Sequence, residues 1–276
     1  MPILEITGLR KTYTTRLGGN RVEALKNVSF TAEPGEYIAI MGESGSGKTT
    51  LLNILAALDK PTGGSVILDG MDLAKIKESK LADFRRDNLG FVFQEFNLLD
   101  TFTVRDNILL PLVLRGEKYP AMQPKLNSTA ELLGISALLD KYPYEISGGQ
   151  KQRLCIARAL LRRPKILILD DSTSAVDTKT DAKIRAGLAS YLPNTTKLII
   201  AQRISSVQDA DRIIVMEGGR IAQIGNHDEL LKTSEIYRET FTSQNKMSAE
   251  GEGAVEADTE ASVTQAQTQE GGEAHE

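Results

Sequence analysis

Residues 42–49 match the phosphate-binding pattern G-x-x-x-x-G-K-[ST] at every fixed position. Glycines let the backbone N–H groups of such a loop turn towards phosphate oxygens, and the N-terminus of the following helix adds its positive dipole end. We expect the Lys48 ammonium to reach the β and γ phosphates of a nucleotide and the Thr49 hydroxyl to bind Mg²⁺. The nucleotide-contacting residues predicted in this segment are Gly42, Glu43, Ser44, Gly45, Ser46, Gly47, Lys48, Thr49 and Thr50.

An acidic side chain follows a second apolar run. Residues 166–169 are Ile, Leu, Ile and Leu, which is typical of a strand buried on both faces, and Asp170 comes directly after them. A carboxylate at the carboxyl end of a parallel strand faces the ligand crevice, where it can hold a metal ion or its water. Because the phosphate loop lies upstream in the same chain, we interpret Asp170 as a ligand of Mg²⁺.

Strands and helices alternate around these residues. An apolar strand over residues 37–41 leads into the phosphate loop, and a helix over residues 50–58 follows it until Pro61. Residues 72–145 are predicted to be mainly helical. The other predicted strands are residues 3–9, 28–30, 65–68, 166–169, 197–200, 213–216 and 220–224, with helices at about 150–161 and 178–191. This order predicts an α/β fold with a mainly parallel central sheet.

Composition excludes several classes of protein. A single cysteine, Cys155, rules out a disulfide framework and any multi-cysteine metal site, and we expect it to be a buried structural thiol. No apolar stretch approaches the roughly 18 to 20 residues that span a bilayer, and no secretory signal is expected. Residues 247–276 carry eight acidic residues and no Lys or Arg, and the rest has 33 basic against 29 acidic residues without a basic stripe. We therefore expect no nucleic-acid partner and a disordered acidic tail.

Residues 146–150, Ile-Ser-Gly-Gly-Gln, resemble the signature of the ATP-binding cassette family, and the resemblance covers about residues 3–240. It implies an α/β P-loop NTPase cassette with an N-terminal antiparallel β portion. The cassette domain would be residues 1–245 with a helical insert at about 95–160, followed by the tail at 246–276. It also implies the cofactors ATP and Mg²⁺, a second cassette and an integral-membrane permease as partners, and a cytoplasmic location at the inner face of the cell membrane.

The resemblance assigns further site residues. Tyr13 resembles the aromatic on which adenine stacks, and Gln94 resembles the glutamine that joins Mg²⁺ to the insert. Asp177 ends a segment, residues 174–177, that resembles the loop crossing the dimer interface in this family. The signature residues would bind the terminal phosphate of the ATP held by the opposite subunit; they are Ser147, Gly148, Gly149 and Gln150.

Two positions depart from the family pattern. Asp171 stands where the active family has a glutamate, which shortens the side chain by about 1.5 Å, and a misplacement on that scale can cost about a hundredfold in rate. Gln202 replaces the histidine that contacts the γ-phosphate, and glutamine cannot carry the imidazolium charge. With Lys48, these are the predicted catalytic residues, and we expect slow hydrolysis.

The resemblance also changes along the chain. Upstream of about residue 150 it points to cassettes of lipoprotein-release, macrolide-export and antimicrobial-peptide-detoxification permeases, whereas the downstream part resembles the degenerate half of a heterodimeric multidrug-type exporter. We therefore expect an exporter subunit. A non-hydrolysing ATP-dependent clamp or a degenerate regulatory cassette is the alternative. A soluble family member acting in translation or DNA repair is disfavoured, because neither tandem cassettes nor a long coiled coil is present.

Overall fold

A computed structural model describes residues 1–14, 19–93, 95–170, 186–188 and 190–245. The strands in chain order are β1 (Leu4–Thr14), β2 (Arg21–Ala32), β3 (Tyr37–Gly42), β4 (Gly63–Leu68), β5 (Met71–Asp72), β6 (Leu89–Val92), β7 (Ile166–Asp170), β8 (Thr196–Ile200), β9 (Arg212–Glu217) and β10 (Arg220–Gly225). The helices are α1 (Lys48–Leu55), α2 (Glu78–Asn88), α3 (Val104–Val113), α4 (Tyr119–Leu132), α5 (Gly148–Leu160) and α6 (His227–Thr233), and residues 235–245 are also helical. Short 3₁₀ turns occur at Leu73–Lys75, Ser136–Leu138, Pro143–Glu145 and Ile204–Ser206.

The central sheet has six strands in the order β10-β9-β3-β8-β7-β6. Every neighbouring pair from β9 to β6 is parallel, and only the β9–β10 hairpin is antiparallel. The turn of that hairpin, Gly218 and Gly219, has φ of 51° and 84°, and a two-residue turn with two positive φ angles suits a tightly twisted hairpin. The predicted mainly parallel sheet is confirmed.

Strand β6 corrects the helical prediction for residues 72–145. Residues 89–92 pair in parallel with β7, from Leu89 opposite Ile166 to Val92 opposite Leu169. A four-residue apolar run has no periodicity that separates a buried strand from a helix, so only the pairing partner decides. Gly90 allows the approach, because a Cβ there would lie 2.8 Å from Cγ of Pro164.

A second sheet, antiparallel and in the order β2-β1-β4-β5, covers the N-terminal part as expected. Apolar side chains of both sheets and of α1 form one buried core, which includes Leu4, Leu25, Ile40, Leu52 and Leu198. Four buried side chains of α1 belong to this core: Leu51, Leu52, Ile54 and Leu55.

The chain divides into two compact units, Met1–Asp228 and Glu229–Glu276. The described part of the second unit is mainly helical. Within the described ranges, no helix is both long enough and apolar enough to cross a bilayer. The domain boundary at residue 245 stays a prediction, and the acidic tail lies outside the described residues.

Candidate nucleotide site

Three parallel strands bring predicted site residues to one edge of the central sheet. Ile40, Ile200 and Asp170 lie opposite one another in the register of β3, β8 and β7. The phosphate loop begins two residues after Ile40, and Gln202 lies two residues after Ile200. The carboxyl ends of neighbouring parallel strands are the usual place of a ligand crevice in such sheets. The structure therefore places the phosphate loop, Asp170 and Gln202 at one edge, and their roles stay predictions.

Glycines shape the phosphate loop. Gly42, Gly45 and Gly47 have φ of 147°, 79° and 97°, backbone angles that residues other than glycine rarely adopt. A Cβ on Gly47 would lie 2.5 Å from the carbonyl oxygen of Ala24, and one on Gly42 would overlap the carbonyl oxygen of Met216. At Gly45, in contrast, no described atom lies within 4 Å of a Cβ position. Two of the glycines thus allow close packing, while the third leaves the tip of the loop open.

Lys48 bends over the loop that precedes it. Its Nζ donates to the carbonyl oxygens of Gly42 at 2.7 Å and Glu43 at 2.6 Å, and lies 3.2 Å from Oγ of Ser46. Lys48 is also the first residue of α1, which has no side-chain N-cap and no acidic residue in its first turn. A helix start without a side-chain cap has N–H groups available for an anion. The ammonium and the helix start together favour bound phosphate.

The predicted magnesium ligands supply hard oxygen donors. The Thr49 hydroxyl belongs to an exposed residue in the first turn of α1, and Asp170 is half-buried at the end of β7. Mg²⁺ in phosphate-transferring proteins typically takes one or two carboxylates together with substrate phosphates and waters, so this donor set fits. Among the described residues, no cluster of three or more His, Cys, Asp or Glu offers a competing metal site. Gln94 lies outside the described residues.

Tyr13 lies near the end of β1 and is 42% exposed. Its hydroxyl donates to Oδ2 of Asp59 at 2.8 Å, and Nζ of Lys11 lies 4.8 Å from the centre of its ring. Burial and this hydrogen bond to a carboxylate raise the pKa of the Tyr13 hydroxyl, which stays protonated at neutral pH. Lys11 and Asp59 belong to no sequence motif that predicted them as site residues. The one available signal was that Lys11 precedes Tyr13 by two residues, which places both side chains on one face of a strand.

The signature residues open α5 and face outward. Ser147 Oγ accepts a hydrogen bond from the Gln150 amide at 3.4 Å, and Gln150 Oε1 accepts one from the Ser147 amide at 2.9 Å. This reciprocal pair is a capping box, which explains why the helix begins at Gly148. Ser147 and Gly148 are exposed, and apart from its chain neighbours and the backbone of its own helix no described atom lies within 4 Å of a Cβ position on Gly148. Packing in the described part of the chain therefore does not require a glycine there.

The remaining predicted residues divide into two groups. Gln202 is exposed and precedes the turn Ile204–Ser206, so its side chain lies at the surface of the sheet edge. Asp171 and Asp177 lie outside the described residues, as does Gln94.

Cys155 is buried as predicted, donates through Sγ to the Phe96 carbonyl oxygen at 3.1 Å, and has a pKa that burial raises to about 11. It is a structural thiol.

Comparison with known proteins gives a consistent result. The family profile described as "ABC transporter" matches residues 25–174. The chain is 42% identical over 236 residues to the bacitracin export ATP-binding protein BceA of Halalkalibacterium halodurans, covering 84% of this chain and 92% of that protein. It is 38% identical to the macrolide export ATP-binding/permease protein MacB of Rhodopirellula baltica, covering 80% of this chain and 33% of that protein.

Solved structures agree with the sequence comparison. The dimeric post-hydrolysis state of the ATP-binding cassette MJ0796 bound to ADP and Pi matches with a TM-score of 0.76 and 34% identity, over 81% of this chain and 98% of that chain. A bacterial Atm1-family exporter with ATP bound matches with a TM-score of 0.76 and 30% identity, over 88% of this chain and 42% of that chain.

Proposed function

This chain belongs to the ATP-binding cassette family of transporter proteins. We propose that it binds Mg-ATP, dimerises around it and drives an export permease in the membrane. The observation that carries the proposal is the position of Lys48. Its ammonium donates hydrogen bonds to the carbonyl oxygens of Gly42 and Glu43. This loop begins two residues after Ile40, which lies in register with Asp170 across the sheet. An ammonium forms stronger, charge-assisted hydrogen bonds with phosphate oxygens than with backbone carbonyl oxygens, so bound phosphate is expected to replace these carbonyl contacts.

The residues divide the work of binding ATP. Amide groups of residues 42–47 and the start of α1 surround the β-phosphate, and Lys48 neutralises charge on the β and γ phosphates. Thr49 and Asp170 would hold Mg²⁺, which would supply further neutralisation of the phosphate charge when bound. Tyr13 stacks against the adenine ring at the opposite end of the nucleotide.

The dimer is the form in which the signature acts. Ser147 and Gly148 are exposed at the start of α5, a helix N-terminus that favours an anion. In a dimer of two such chains, or of this chain and a second cassette, this helix start meets the γ-phosphate of the ATP bound to the partner. The bare space around Gly148 supports the proposal, because a close approach from outside the chain is a reason for the missing side chain.

Hydrolysis is proposed to be slow. Asp171 and Gln202 replace two groups that act on the same attacking water and γ-phosphate, and each replacement removes reach or charge. Nucleotide binding uses other residues and is retained. The alternative function, an ATP-dependent clamp or a degenerate regulatory cassette, differs from the slow transporter only in whether turnover occurs at all.

The partner in the membrane is proposed from the relatives. BceA is named as a bacitracin export ATP-binding protein and MacB as a macrolide export ATP-binding/permease protein. We assign the same class of partner here, an integral-membrane export permease, and place the chain on the cytoplasmic face of the membrane. Purification of the full chain from membranes, with identification of the associated permease, tests this part.

One set of measurements tests the function as a whole. Equilibrium ATP binding, ATP-induced dimerisation and steady-state phosphate release are measured on the purified full chain, with the Lys48→Ala variant as background. Binding and dimerisation with slow phosphate release support the proposal. Binding and dimerisation without release above background support the clamp. Absence of ATP binding contradicts both, and turnover of about 1 per second or faster, within the usual enzyme range, contradicts the slow site.

A further inference from the structure

A buried lysine, a carboxylate and a tyrosine form one cluster at the end of β1. Lys11 is only 8% exposed, and its Nζ donates to Oδ1 of Asp59 at 2.5 Å and to the Lys60 carbonyl oxygen at 2.7 Å. The Tyr13 hydroxyl donates to the other carboxylate oxygen, Oδ2, at 2.8 Å. One carboxylate therefore holds two side chains from the same strand.

The cluster restrains the tyrosine ring at two points. The hydroxyl is held by Asp59, and the ammonium of Lys11 lies 4.8 Å from the ring centre, where a cation is attracted to the aromatic face. The ring is thus held against the segment that follows α1, while 42% of the residue remains exposed.

Asp59 is itself held by the backbone. Its amide donates to the Asn53 carbonyl oxygen at 3.1 Å, and the Lys60 amide donates to its Oδ1 at 2.7 Å. Burial alone would raise the pKa of the Asp59 carboxyl, but hydrogen bonds from Lys11, Tyr13 and the Lys60 amide outweigh it and hold that pKa below its usual range. The carboxyl is therefore ionised at neutral pH and forms an ion pair with the Lys11 ammonium.

We propose that Asp59 and Lys11 are positioning residues that hold the Tyr13 ring as a preformed platform for the nucleotide base. The inference rests on the proposed function, because it assigns the base of the bound ATP to Tyr13. A side chain that is already fixed before binding loses less conformational freedom when the base stacks on it. Asp59 does not touch the nucleotide, so its effect on affinity passes through the tyrosine.

A purely structural role makes a different prediction. The same contacts join β1 to the segment that follows α1, and under a purely structural role their loss loosens the phosphate loop as well as the base platform. Loosening of the loop weakens every ligand that carries the triphosphate. Loss of the platform weakens only ligands that carry the base. Comparison of ATP with inorganic tripolyphosphate therefore separates the two roles.

The experiment measures the affinities of ATP and of inorganic tripolyphosphate, each with Mg²⁺, for the full chain and its variants. Asp59→Asn removes the charge and Tyr13→Phe removes only the hydroxyl that Asp59 holds. Each is expected to lower the affinity for ATP by about two- to tenfold, the range for releasing one fixed side chain, and the affinity for tripolyphosphate by less than about twofold. Glu78→Gln is the matched control, because the Lys60–Glu78 ion pair lies beside the cluster but is largely exposed. It is expected to change neither affinity.

A double-mutant cycle completes the test. In a Tyr13→Ala background, which has no ring to position, Asp59→Asn is expected to cause no further loss of ATP affinity. Equal losses for ATP and tripolyphosphate, or an unchanged ratio in both Asp59→Asn and Tyr13→Phe, overturn the positioning role. Should Asp59→Asn fail to fold, Tyr13→Phe alone decides. An unchanged ratio in Tyr13→Ala overturns instead the base-binding role of Tyr13, and loss of all ATP binding in the unaltered chain overturns the proposed function.

Discussion

Arg158 of α5 donates through Nη1 to the carbonyl oxygen of Asn97 at 2.8 Å. Its Nη2 donates to the neighbouring Phe96 carbonyl oxygen at 3.1 Å, the same oxygen that accepts from Cys155. The helix that begins with the signature residues therefore holds the segment that comes directly after Gln94. Asn97 has φ of 46°, a left-handed conformation that such contacts stabilise.

Replacing Arg158 with Met keeps an unbranched apolar stem but removes the guanidinium and both of its hydrogen bonds. We expect the free energy of unfolding to fall by about 1–3 kcal/mol, the range for lost hydrogen bonds to a charged group, as measured by urea denaturation. Arg105→Met is the control, because its ion pair is with the exposed Asp140 and is worth at most about 1 kcal/mol. Equal losses in the two variants would contradict a special role for the Arg158 contacts.

Replacing Lys48 with Ala is expected to abolish ATP binding, because the β and γ phosphates lose the one full positive side-chain charge of the motif. Equilibrium binding with a fluorescent ATP analogue measures this. Lys60→Ala removes a largely exposed lysine instead and is expected to bind ATP normally. Retained ATP affinity in the Lys48 variant would refute the assignment of the loop.

Replacing Ser147 with Arg is expected to leave ATP binding by the single chain intact while preventing ATP-induced association. The signature acts across the interface, where the larger side chain would block close approach. Light scattering with and without ATP measures the mass, and Ser136→Arg, at an exposed position of another turn, is the control. A Ser147 variant that dimerises normally would rule out this interface.

Changing Asp171 to Glu and Gln202 to His together is expected to raise turnover at least about tenfold, equivalent to about 1.4 kcal/mol of barrier, with little change in ATP affinity. The longer carboxylate reaches the attacking water and the imidazole contacts the γ-phosphate. Each change alone is expected to do less, because groups that act as a unit are non-additive. Phosphate release from the purified dimer is the assay, and an unimproved double variant would show that the two departures do not limit the rate.

Cys155 is expected to resist alkylation in the folded chain. Burial raises its pKa from 9.0 to about 11, so the thiolate that reacts is scarce at pH 8. The pKa of Cys155 is higher in the folded chain than in the unfolded chain. Its contribution to the free energy of unfolding is therefore complete below pH 9 and is lost as the pH rises from 9 to 11. The difference in unfolding free energy between the unaltered chain and Cys155→Ala, measured across that interval, isolates this group. Rapid labelling at pH 8 by a thiol reagent, compared with urea-unfolded chain, would contradict the buried position.

Local patterns were sufficient for much of the molecule. The phosphate loop, the strand before it and the helix after it are contiguous in sequence, so residue type and order determine them. The hairpin at Gly218 and Gly219 was predictable for the same reason, because its turn and both strands lie within fourteen residues, Arg212–Gly225. The capping box of Ser147 and Gln150 likewise depends on a spacing of three residues.

Long-range pairing determined the rest. Strand β6 was predicted as helix because residues 89–92 acquire their strand geometry from β7, which is more than seventy residues away. Asp59 lies 46 residues from the tyrosine that it holds, and no local sequence pattern predicts that the two side chains meet. Side-chain chemistry and local spacing follow directly from the order of the residues, whereas contacts between distant segments depend on how the sheets and α1 pack. The phosphate-binding pattern can therefore be recognised from the sequence because its residues are contiguous, whereas the contacts between Tyr13 and Asp59 depend on how distant segments pack.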